Sequence, residues 1–284
     1  MKNIKNRYLW KKIITDLWRR IVDDDIGALG TQLSYSLLLA FFPFLIFVIT
    51  VLGFSAIKIE VVLDGVKSIV PLEVFKLTEK TIREVMNNKN FNLLSFGILT
   101  AIFIASNGFL AVIKGLNKAY DTKEERGLFK VEIIALSCTV ILALIIVLSL
   151  ILLVFGEING DLILKHFGLG LPFIIAWNYL RYFLAIVIMM LIFELIYHFI
   201  PCRKLTWKEV TPGAAFTSIG WIVCSEAFSY YVNKFSNYSM LYGSIGAVII
   251  LMTWLFLISI LLLVGGEINA TLSFCKECKG KYER

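Results

Sequence analysis

The chain has 284 residues, of which 58% are hydrophobic and 17% charged, with a mean hydropathy of +0.81 and a formal net charge of +7. Soluble domains are about half apolar and about one quarter charged, so this composition excludes a soluble globular protein and describes an integral membrane protein. The basic excess is scattered among short segments between apolar runs, as topology requires, and offers no nucleic-acid-binding module.

The first 25 residues form a predicted cytoplasmic amphipathic segment. Ile4, Trp10, Ile13, Ile14, Leu17, Trp18 and Ile21 recur at helical spacing, while Lys11, Lys12, Arg19 and Arg20 can face anionic headgroups. We expect an interfacial helix; packing on a cytoplasmic loop is the alternative. Asp23 to Asp25 then open the first span, where acids suit the positive end of the helix dipole.

A membrane-crossing helix needs about 20 apolar residues. Four uncharged runs meet this: Gly27 to Ile57, Phe91 to Ile113, Ile133 to Phe155 and Leu241 to Gly266. Two more contain a single acid, Tyr182 to Cys202 with Glu194 and Val210 to Asn233 with Glu226. The expected fold is therefore all-α, a polytopic protein with six transmembrane helices over residues 26–272. Continuous apolar runs also argue against alternating β-barrel strands.

Within the first span, Pro43 removes a backbone hydrogen bond and predicts a kink. Between the first and second spans, residues 58–90 hold two stretches of helical rhythm on either side of Pro71, predicting two short amphipathic helices on the outer face. They either form a lid or pack on the bundle's outer ends. Residues 273–284 make a cytoplasmic tail. Its Cys275 and Cys278 supply only two of the four ligands a structural zinc needs, so neither a metal nor another cofactor is expected.

Six spans place both termini on one side. Lys2, Lys5, Arg7, Lys11, Lys12, Arg19 and Arg20, the cluster from Lys114 to Lys130, Arg203 to Lys208 and the basic tail all fall on that side. The opposite side is poorer in Lys and Arg, so the termini are predicted to be cytoplasmic.

Charge at membrane depth is costly and faces a bundle interior, a wet cavity or a partner. Glu194 lies about two turns from the inner end of the fourth span, with His198 one turn further on the same face. Arg181 and Glu226 fall at similar depth near the outer side, where they pair or Arg181 snorkels. Tyr35, Ser34, Gln32, Asn107 and Tyr242 are further candidates for a polar path, and each can also bond a neighbouring helix. The sequence Gly-Glu-Ile-Asn occurs at Gly156 to Asn159 and again at Gly266 to Asn269, each where an apolar run stops. An inverted repeat would produce this, and so would chance in a chain rich in Ile and Gly.

No Walker loop, zinc-protease motif or nucleophile elbow is present, so no catalytic residues are assigned and no enzyme is expected. The segments LSYSLLLAFFPFLIF, ASNGFLAVIKGLNKAYD, YHFIPCRKLTWKEVTPGAAF and YGSIGAVIILMTWLFLISILLLVGGEINATL resemble the YihY/BrkB family of bacterial inner-membrane proteins, from about Asp23 to Leu272. The resemblance implies six helices in a bacterial plasma membrane. It also implies a link to serum resistance or to the movement of lipid-like molecules, and it carries an older ribonuclease BN label. It adds Glu267 and Asn269 to the residues of interest, beside Tyr35 and Tyr242. Two functions follow as expectations: moving or binding a lipid or amphiphile, with membrane lipids as partners and no nucleic acid, or a non-transporting envelope scaffold.

Overall fold

The structure, a computed structural model, describes residues 2–53, 59–69, 72–87, 91–167, 171–235 and 244–282. Among them every regular element is helical: α1 (Lys2–Asp23), α2 (Ile26–Gly53), α3 (Ile59–Ile69), α4 (Leu72–Asn87), α5 (Phe91–Ala119), α6 (Leu128–Phe167), α7 (Leu171–Phe199), α8 (Trp207–Phe235) and α9 (Ser244–Tyr282). Among the described residues, four segments are long and apolar enough to cross a bilayer: Ile26–Thr50, Leu99–Ala119, Leu128–Leu148 and Gly246–Cys275. This is a helical membrane protein.

The break between α1 and α2 has a local cause. Asp25 has φ of 49°, a left-handed conformation that short polar side chains tolerate, and its Oδ1 accepts from the Ala28 N–H at 3.4 Å. The predicted first-span acids are thus divided: Asp23 ends α1, and Asp25 caps α2. A second left-handed residue, Asp121 (φ 50°), closes α5. There the Asp121 N–H donates to the Lys118 carbonyl at 3.0 Å and the Thr122 N–H to the Asn117 carbonyl at 2.9 Å, the paired bonds of a Schellman stop. Helix α8 begins at a capping box. Glu209 Oε2 accepts from both the Thr206 N–H and the Thr206 hydroxyl at 2.8 Å, and the flanking Leu205 and Val210 are buried in the same apolar cluster.

Among the described residues, three apolar clusters hold the helices together. The largest joins Ile26 and Leu33 of α2, Ile113 and Leu116 of α5, Phe193 and Tyr197 of α7, Val210 and Ala214 of α8, and Leu262 and Leu263 of α9. A second packs Val62 and Leu63 of α3 with Phe75 and Ile82 of α4 against Phe47 to Ile49 of α2, Ala101 of α5 and Val147 of α6. The two short helices therefore lie on the bundle. The third cluster joins Phe228 and Val232 to Leu251, Trp254 and Ile258, along the α8–α9 seam.

That seam is close because it lacks side chains. A Cβ on Gly213 would collide with the Gly265 carbonyl oxygen and the Asn269 amide, and one on Gly265 would meet the Thr217 and Tyr197 hydroxyls. Small residues let helix backbones approach and trade side-chain volume for dispersion contact. The buried Tyr197 hydroxyl donates to the Leu262 carbonyl at 2.8 Å and shares a 2.7 Å hydrogen bond with Thr217, tying α7, α8 and α9 at one level.

The second Gly-Glu-Ile-Asn copy does not end a helix. Apolarity stops at Glu267, yet α9 runs on to Tyr282, because an acid facing a bundle interior interrupts hydropathy without offering a helix stop. The segment predicted as a tail is likewise helical as far as Tyr282. Helix α6 similarly continues past the first copy to Phe167; the side chains of that copy lie outside the described residues.

Candidate functional site

Two polar arrangements gather near one end of the bundle, where α1, α5, α7 and α9 stop and α2, α6 and α8 start. The first is buried. Arg20, at the end of α1, donates from Nε to Glu267 Oε2 at 2.9 Å, from Nη1 to Asp121 Oδ2 at 2.9 Å and from Nη2 to the Ala119 carbonyl at 2.8 Å. The Glu267 side chain is fully buried, and Arg20 is 16% exposed. The Arg20 and Arg203 guanidinium groups lie over the Phe274 ring at 5.1 and 4.6 Å, so one aromatic side chain of α9 contacts two cations. Asn269 Oδ1 accepts from the Gly213 N–H, next to Pro212, where the α8 backbone ladder is already missing a donor. Beside this network, Tyr120 Oη, Glu267 Oε1, Asn269 Nδ2 and Thr271 Oγ1 are buried with no well-formed hydrogen bond among the described residues. Buried polar atoms in such numbers are ordinarily served by internal water.

A neighbouring set secures the loops. Asn117 uses both halves of its amide, donating from Nδ2 to Glu124 at 2.7 Å and accepting from the Cys202 N–H at 2.7 Å. Arg126 grips Glu124 through two 2.6 Å hydrogen bonds and donates to the Ile200 carbonyl at 3.1 Å. The α5–α6 and α7–α8 connections are thus bound to one another. The Arg126 hydrogen bonds hold the Glu124 carboxyl at about 2, below its ordinary value of 4.5. A carboxyl depressed on folding stabilises the protein above about pH 4.5 and loses that contribution as pH falls toward 2. The melting temperature of detergent-solubilised wild type should therefore exceed that of Glu124→Gln at pH 7, and the gap should narrow below about pH 4.5 and close toward pH 2. A constant gap would contradict this account.

The second arrangement is open. Between α2 and α5 lies a groove of about 210 Å³, lined by Leu29, Gln32, Leu33, Ser36, Asn107, Leu110, Ala111, Lys114 and Gly115. It exists because the two helices touch above it, where a Cβ on Gly108 would stand 3.2 Å from Ala40 Cβ. The polar heads of Gln32, Asn107 and Lys114 are exposed and have no hydrogen-bond partner among the described residues; the Ser36 hydroxyl is spent on the Gln32 carbonyl at 3.1 Å.

The sequence-derived candidates are therefore dispersed. Glu267 and Asn269 sit in the buried network and Asn107 in the groove. Tyr35 is 56% exposed on α2, next to the groove. Glu194 is half-buried, without a partner among the described residues, and is not joined to His198, whose ring stacks on Trp207 at 4.3 Å and whose Nδ1 is buried unpaired. Glu226 is exposed on α8. The side chain of Arg181 and the whole of Tyr242 lie outside the described residues. Gln32, a sequence candidate for a polar path, lines the groove; sequence reasoning did not single out Tyr197 or Lys114, and it took Arg20 for a headgroup contact. No group of three or more His, Cys, Asp or Glu among the described residues is placed to hold a metal ion.

A family profile described as Virulence factor BrkB matches residues 17–283. The chain belongs to the BrkB family. Similar proteins include the putative ribonuclease-like protein YfkH of Bacillus subtilis (strain 168), 37% identical over 91% of this chain and 94% of that one. UPF0761 membrane proteins of Tolumonas auensis (25% identical; 90% of this chain, 83% of that one) and Haemophilus influenzae (24%; 90% and 93%) also match. No solved structure matches. In this BrkB-family chain the matched region takes in both the arginine network and the groove, from Arg20 to Phe274.

Proposed function

We propose that this BrkB-family protein binds the headgroup of a membrane lipid or other amphiphile in the α2–α5 groove and moves it within or across a bacterial plasma membrane. The groove carries the reading: it is a polar recess open to the side of an otherwise apolar helix pair, with exposed Leu39, Leu99 and Phe103 on the same two helices. A headgroup can enter such a recess while its acyl chains stay in the bilayer. Asn107 and Lys114 are two turns apart on α5, so the polar rim runs about 10 Å, one third of a hydrocarbon core of about 30 Å.

In this reading α7 and α8 cross the membrane together with the four most apolar helices, giving six spans. Alternating directions support it: α2, α6 and α8 start at the end where α5, α7 and α9 stop, and that end carries Arg20, Lys118, Arg126 and Arg203. It is the cytoplasmic end by the excess of Lys and Arg. The ribonuclease-like name of the Bacillus subtilis relative is not carried over, since the groove presents amides and an ammonium rather than an acid–base pair.

Reconstituted protein should accelerate transbilayer exchange of a fluorescent phospholipid in liposomes, and Asn107→Trp, which fills the groove from an exposed position, should abolish the acceleration with folding intact. Equal exchange by wild type, Asn107→Trp and protein-free liposomes would leave a scaffold role in its place. Orientation is tested separately by a single cysteine at Lys123 in a background without native cysteines. It should resist impermeant reagents in intact cells, and labelling there would reverse the topology.

A further inference from the structure

The groove selects by charge as well as by polarity. Its lining contains one ammonium, two primary amides and no carboxylate. Lys114 and Lys118 stand one turn apart on the exposed face of α5, yet their surroundings differ. Lys118 pairs with Asp24 at 3.0 Å. Lys114, one turn deeper in the same apolar segment Leu99–Ala119, has no counter-charge among the described residues.

A cation about 7 Å inside the helix end is costly unless it snorkels or meets an anion. The Gln32 and Asn107 amides offer further N–H donors along the same rim. A cation with convergent amide donors matches a phosphate, and the absence of a carboxylate leaves nothing to receive the ammonium of a zwitterionic headgroup.

Resting on the lipid-binding reading above, we infer that the groove is a site for the phosphate of an anionic phospholipid, taken from the leaflet at the basic end of the bundle, with Lys114 as its counter-charge. The lateral opening favours a lipid phosphate over a soluble one, because the acyl chains can remain in the bilayer beside Leu29 and Leu110.

The test is native mass spectrometry of the full-length protein released from micelles containing equal amounts of phosphatidylglycerol and phosphatidylcholine. Wild type should retain phosphatidylglycerol in about tenfold preference, the ratio one charge-assisted contact supports. Lys114→Arg should keep the preference, Lys114→Gln should lose it, and excess inorganic phosphate should leave it unchanged. Lipid retention without preference, a preference that survives Lys114→Gln, or displacement by inorganic phosphate overturns the anionic-lipid assignment alone. Retention that is unaffected by Asn107→Trp overturns the groove itself as the lipid site, and with it the parent reading.

Discussion

Arg20→Ala is expected to destabilise the protein by about 3–5 kcal/mol, the range for removing one partner from a buried ion pair. The loss does not come chiefly from the attraction between Arg20 and Glu267, because desolvating two ions offsets much of that gain. It arises because Glu267, fully buried on α9, would be left as a carboxylate without its cation, and because the Ala119 carbonyl and Asp121 would lose donors. The double variant Arg20→Met/Glu267→Leu should recover most of the loss, since two apolar groups of similar volume remove both the charge and the desolvation. Unfolding in mixed micelles with increasing dodecyl sulfate measures each variant. A double variant as unstable as Arg20→Ala would show that the network is not governed by the uncompensated charge. Helix α1 should also become a target for added protease in Arg20→Ala, because the three hydrogen bonds from Arg20 hold its end to α9 and to the end of α5.

Gly265→Val should cost as much or more, and by a different mechanism. A single Cβ at this position already collides with the Thr217 and Tyr197 hydroxyls, the groups that tie α7 and α8 to α9. Overpacking a tight core costs about 1–3 kcal/mol and occasionally more. Here the collision is with hydrogen-bonded groups on two other helices, which cannot yield without breaking the Tyr197 bond to the Leu262 carbonyl. Gly265→Ala should fall within that range, and Gly265→Val above it. Gly127→Ala is the control: an added Cβ there has no neighbour within 4 Å, and its melting temperature should match wild type. If Gly265→Val melts with wild type, the close α8–α9 seam is not a determinant of stability.

Much of the architecture is legible without coordinates because it depends on local chemistry. Apolar runs mark helices, since a backbone in hydrocarbon must satisfy its own hydrogen bonds. The two short helices on either side of Pro71 follow from periodicity and from proline's missing N–H. Helix ends are less legible. Glu267 stops the apolar run but not α9, and Asp121 stops α5 through a left-handed conformation that its identity permits without requiring.

The chain's composition and pattern determined by themselves that this is a helical membrane protein with short amphipathic helices beside its apolar ones. The functional geometry was decided only by tertiary packing. Arg20 and Glu267 are 247 positions apart, and nothing in either neighbourhood specifies the other. Their pairing depends on α1 and α9 ending at the same end of the bundle. Lys114 looks in sequence like one more basic residue at a span boundary. It gains significance only because Asp24 is brought to Lys118 and not to it, and because the Gly108–Ala40 contact sets α2 and α5 at a spacing that leaves a recess beside it. Hydropathy is a property of single residues and their near neighbours. Complementarity between surfaces from distant segments is not, and the groove and the arginine network both consist of it.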